Sequence, residues 1–175
     1  MFVLKIVGTV CITGATTLYA RGLVNELSCR IAALKAIKQS FTTLKGELRY
    51  GVETLPSAFM HVGERCSCGQ ETVRDFFWNT GNRLKTENGS ILKEVWEEEA
   101  KKLAAAACLN GNECDNLIAV ADSLGYLDLT QQTNNIELYL QSVDESIEAL
   151  SGKYEQNSRM YMSLGAVSYT HLRAH

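Results

Sequence analysis

Few residues of this chain are of a type and spacing that could do chemistry. Six cysteines stand at positions 11, 29, 66, 68, 108 and 114. Cys66 and Cys68 with Cys108 and Cys114 could offer four thiolates to zinc, yet structural zinc usually places about two to four residues between its paired ligands, which neither C-x-C nor C-x5-C satisfies. Disulfides in an oxidising compartment are the other use of an even count. The chain is long enough to bury a core without such staples, so reduced thiols are the default reading. Before the last few residues His61 is the only histidine. A Cys or Ser nucleophile could use it as a base, but no third group completes the set, and a lone histidine on a short helix reads as a surface or packing residue. Glu97, Glu98 and Glu99 are consecutive, so they splay around a helix and face solvent instead of converging on a metal. Phosphate-cradling, zinc-protease and nucleophile-elbow motifs are absent. The expectation is a non-enzyme with no catalytic, metal or cofactor-binding residue, no cofactor and no small-molecule substrate. A net charge of -3 with both signs interspersed leaves no footprint for nucleic acid.

The elements that would have to position such residues are helical. Pro56 is the only proline among 175 residues, and helix formers outnumber strand formers. From Thr130 to Leu164 the apolar positions Ile136, Leu140, Val143, Ile147, Leu150 and Tyr154 recur at steps of three and four, a stripe that needs partner helices. Leu27, Ile31, Leu34, Ile37, Phe41, Leu44 and Leu48 make a second long stripe ending near Tyr50-Gly51. Between these rods the pattern predicts shorter helices. One runs from about Leu55 to Glu64, with Thr54 as cap and Pro56 in the first turn. Another holds Val73, Phe76, Phe77 and Leu84 and ends before Asn88-Gly89. A third, capped by Ser90, carries Glu97-Lys101 and Glu98-Lys102 on its wet side. A compact helix from Leu117 to Leu124 is closed by Gly125, and Asp128 can cap the last rod. The fold expected is all-α, an antiparallel bundle of about six helices with the long first and last ones paired.

Residues 2–20 are mostly apolar with one charge, Lys5, and have the length of a membrane span. Gly8, Thr9, Thr13, Gly14, Thr16 and Thr17 dilute the apolarity and suit close helix packing within a bilayer. A cleaved signal peptide and a buried core helix are the competing readings. Arg21, Arg30, Lys35 and Lys38 all follow the stretch, which favours an anchor with the body in the cytoplasm. The organisation read here is 1–21 as transmembrane anchor, 22–167 as cytoplasmic helical bundle and 168–175 as a non-native tail.

Three stretches together resemble the stage III sporulation protein AB family. They are Glu47 to Gly51 running on through Leu55-Pro56 to Phe59, then Leu124-Gly125-Tyr126 with Asp128 and Gln132, and last Arg159 to Gly165, which includes Tyr161 and Leu164. Leu127 stands where the family has a small hydroxyl residue. Family members continue past the Leu-Gly motif into a second membrane helix, whereas Ser168 to His175 is short and polar, like foreign coding sequence on a truncated fragment. The resemblance implies a membrane-anchored, non-enzymatic component of the channel between mother cell and forespore, similar to the inner-membrane platform protein of type II secretion. Its implied partners are other channel subunits, including a cytoplasmic ATPase, and its implied place is the mother-cell membrane around the forespore, crossed once or twice. Tyr50, Gly51, Leu55, Pro56, Leu124, Gly125, Asp128, Gln132, Tyr161, Leu164 and Gly165 would be structural motif residues. The helical pattern alone supports equally a generic membrane-anchored adaptor or signalling domain. Cleavage near Ala20 would instead give a secreted, disulfide-bonded helical protein.

Overall fold

A computed structural model describes the backbone of residues 2–50, 54–66, 69–87, 89, 91–125 and 128–173; the side chains of 2–7, 9–13, 17, 20 and 158–173 lie outside the described set. With a single proline near the start of a helix and apolar residues at helical period, every regular element among the described residues is helical. In chain order they are α1 (Phe2–Tyr50), α2 (Leu55–Glu64), α3 (Glu71–Thr86), α4 (Leu92–Ala106), α5 (Gly111–Ala119), α6 (Ala121–Leu124) and α7 (Leu129–Arg173). The expected helix over 117–124 is thus part of an earlier-starting segment interrupted at Val120, and the elements number seven. Asn110 does not merely break the chain. Its side chain accepts from the Glu113 backbone N–H at 2.8 Å while Glu113 accepts from the Asn110 N–H at 3.0 Å, a capping box that starts α5.

The chain divides into a unit of residues 30–148 and a unit formed by 1–29 with 149–175. Within the first, α1 and α7 run antiparallel: Lys38 pairs with Asp144 at 2.6 Å and, further along α1, Lys45 pairs with the earlier Glu137. The core is aromatic. Phe41 from α1, Phe59 from α2, Phe76 and Phe77 from α3 and Trp96 from α4 are buried and meet in edge-on or tilted pairs with centroids 4.8 to 6.3 Å apart. Rings in this geometry contribute about 0.5–1.5 kcal/mol per pair beyond their buried area. The Trp96 indole N–H donates to the Leu117 carbonyl at 2.8 Å, so α5 is tied to the same cluster.

In the second unit, Leu18 and Tyr19 expose 70% and 72% of their surface. Most side chains of the expected anchor, 1–21, fall outside the described residues. Among the described residues no helix is long and apolar enough to cross a membrane. The expected span, residues 1–21, lies mostly outside the described residues, and the described ones supply no such helix. The expected tail, 168–175, likewise lies outside the described side chains, although α7 continues to Arg173.

Candidate functional site

Seven of the motif residues, far apart in sequence, lie at one end of the 30–148 unit. Because α1 and α7 are antiparallel, Tyr50 at the end of α1 lies toward the start of α7. The start of α2 meets the end of α3 at very close range, since a Cβ built on Gly81 would lie 2.6 Å from the Pro56 carbonyl oxygen and 2.7 Å from Met60 Cγ. Arg83, on the last turn of α3, reaches α4 through Glu98 and Glu99. At the start of α4, Leu92 Cδ2 would be 3.6 Å from a Cβ on Gly125. Tyr50, Leu55, Pro56, Leu124, Gly125, Asp128 and Gln132 thus share a pole. Gly51 lies outside the described residues, as do the side chains of Tyr161, Leu164 and Gly165 in α7.

At this pole the second motif is a clasp between two helices. Asp128 caps α7 by accepting from the Gln131 N–H at 2.8 Å, and its carbonyl accepts from the Gln132 N–H at 2.9 Å. Gln132 then turns its side-chain amide back and donates to the Leu124 carbonyl at 2.7 Å. A helix end leaves its last carbonyls without partners, and Gln132 satisfies one of them at the end of α6. Thr54 does occupy the cap position of α2, but its hydroxyl bonds Ser57 Oγ at 3.3 Å and not a backbone N–H. Ser90 lies outside the described residues, and α4 starts from Ile91 without a side-chain cap. Tyr50, Ile91 and Leu129 are 79%, 52% and 45% exposed, which leaves three large apolar groups in water at the end where the motifs meet.

Elsewhere several charged groups join helices to one another. Glu113 is buried and takes both the Arg30 Nε and Nη2 donors at 2.8 Å, a bidentate pair that joins α1 to α5. Glu99 corrects the expectation of a solvated acidic face. It is buried, bridging Arg83 at 3.1 Å and Lys102 at 2.7 Å, while Arg83 also holds Glu98 and keeps its carboxyl below the ordinary range. Lys101 pairs with Glu97 as expected, but the expected Glu98-Lys102 pair is replaced by these two contacts. Cys29, Cys66 and Cys114 form no disulfide among the described residues. Cys66 Sγ lies 3.4 Å from Ser40 Oγ against α1, burial, then Asp115, raises the Cys114 thiol on α5, and Cys68 lies outside the described residues. Among the described residues no cluster of three or more His, Cys, Asp or Glu could hold a metal.

Gly63 and Gly81 are the points where α2 and α3 touch backbone to backbone; a Cβ on Gly63 would lie 3.1 Å from the Arg74 carbonyl. Their only signal is a glycine inside a helical pattern. The Asn110-x-x-Glu113 spacing was readable as a capping box, but its link to Arg30 was not.

These features define a helical bundle with a capped turn between α6 and α7 and exposed apolar side chains on Tyr50, Ile91 and Leu129. The chain matches the family model described as stage III sporulation protein AB over residues 5–168, and it belongs to that family. It is 25% identical over 162 residues to stage III sporulation protein AB of Bacillus subtilis strain 168, an alignment covering 93% of this chain and 92% of that protein. A solved structure of stage III sporulation protein AB shares the fold, with a TM-score of 0.64 at 20% identity, covering 73% of this chain and 97% of that one.

Proposed function

We propose that the chain is a non-enzymatic platform subunit of the sporulation channel between mother cell and forespore, and that the motif pole of its bundle docks a cytoplasmic, secretion-type ATPase. Family membership over residues 5–168 carries this reading. The three exposed apolar side chains at the pole support it, because clustered apolar groups in water mark contact surfaces. Placement in the mother-cell membrane, with residues 1–21 as anchor, rests on the apolar run from Phe2 to Ala20 and the cations after it. The test is co-purification of the channel ATPase with the full chain and with Ile91→Lys and Leu129→Lys variants. Wild type should retain the ATPase and folded variants should lose it. Equal retention, or none by wild type, rejects the docking assignment. Extraction of the chain from membranes by alkaline carbonate would reject the anchor.

A further inference from the structure

A second surface differs in place and chemistry. Between Leu103 and Gly152 the chain contains no Lys, Arg or His but eight acidic residues, although cations and acids mix elsewhere. Four of the eight are neutralised by cations from α1 and α4: Glu113 by Arg30, Asp122 by Lys93, Glu137 by Lys45 and Asp144 by Lys38. Asp128 is engaged as a cap. Asp115, Glu145 and Glu148 have no ion-pair partner among the described residues and leave α5 and α7 with uncompensated negative charge.

Between these helices runs an open groove of about 230 Å³. Asn116, Val120 and Ser123 line one wall, with Ala119 beside them, and Asn135, Tyr139 and Ser142 the other, each row at i, i+4, i+7. Two helices presenting such rows leave the furrow that a third helix fills with its own ridge. Asp115 lies one turn before Ala119 on α5, and Glu145 lies one turn after Ser142 on α7, so each wall, an asparagine and a serine flanking Val120 or Tyr139, has a carboxylate beside it.

We infer that the groove between α5–α6 and α7 receives a basic amphipathic helix of a partner protein, with a small-residue apolar seam in the furrow and cations toward Asp115 and Glu145. A second copy of this chain is a poor occupant. Within residues 30–148 nine of the twelve lysines and arginines are held in ion pairs, and of the other three Arg49 lies over the Tyr50 ring at 5.6 Å. The inference rests on the proposed function only in taking the partners to be proteins, and the groove can fail while ATPase co-purification survives.

The probe is a synthetic helical peptide with an alanine-leucine seam flanked by lysines, titrated into the full chain by fluorescence anisotropy. Its twin carries glutamates in place of the lysines. The lysine peptide should bind and the glutamate twin should not. Ala119→Trp, which fills the groove at an exposed position without changing charge, should weaken binding at least about tenfold, as should Asp115→Asn with Glu145→Asn. If circular dichroism shows Ala119→Trp unfolded, Asn135→Trp replaces it. Failure of wild type to bind, equal binding by the groove-filled variant, or equal binding of the glutamate twin overturns the proposal. So does a wild-type dimer in sedimentation that Ala119→Trp dissolves, because the groove would then be covered by a second copy.

Discussion

At the scale of single residues, two side chains are held in states that cost stability or constrain charge. Cys108 has φ 55°, the left-handed region, where a side chain is crowded by its own carbonyl. It occupies the position just beyond α4, and the Leu109 N–H completes the closure by donating to the Ala104 carbonyl at 3.0 Å. Glycine is the residue that helix ends use there. Cys108→Gly should therefore raise stability by about 1 kcal/mol in urea melts, where most glycine substitutions lower it. Tyr139 is buried between the groove and Phe41, its ring 4.7 Å from that of Phe41. Burial first, and then the Glu113 charge, raises its phenol well above the ordinary value. A raised acid pKa means stability that is complete below the unfolded value and lost as pH rises beyond it. Wild type should thus weaken progressively above about pH 10, the free tyrosine value, and Tyr139→Phe should remove that loss while matching wild type at neutral pH.

At the scale of elements, α2 and α3 owe their separation to missing side chains. The Pro56 carbonyl and Met60 occupy the space a Cβ on Gly81 would need, and backbone cannot yield as a flexible side chain can. Gly81→Ala should cost about 1–3 kcal/mol by forcing the pair apart, measured as a lowered urea midpoint with the slope unchanged. An alanine in an exposed helix interior normally stabilises, so the sign itself is diagnostic. The clasp from Gln132 to Leu124 acts on the same scale. It uses one amide to hold the turn between α6 and α7.

At the scale of the molecule, the 30–148 unit is one cooperative object because its aromatic cluster has contributors from four helices and reaches a fifth. Trp96 is the junction, touching Phe41, Phe59, Phe76 and Phe77 and donating to the Leu117 carbonyl on α5. Trp96→Ala should lower stability by about 3–5 kcal/mol, and far-ultraviolet and near-ultraviolet circular dichroism should still lose signal in a single coincident transition. Separate transitions would show that α4 and α5 are not coupled to the rest.

The helical class, the two long rods, the cap at Asp128 and most of the buried stripe were legible in the sequence. Leu34, Ile37, Phe41, Leu44, Ile136, Leu140, Val143 and Leu150 are all buried where period alone puts them. These depend on residues three and four apart, and local spacing records them. Glu99 and Glu113 were not legible, because a carboxylate becomes a buried bridge only when a distant Arg83 or Arg30 arrives beside it. The same holds for Gly81, whose neighbour is Pro56, and for the exposure of Tyr50, Ile91 and Leu129. Tertiary packing decided which polar groups left water, and with them which apolar groups remained in it, since burial is set by what folds against a helix and not by the helix itself.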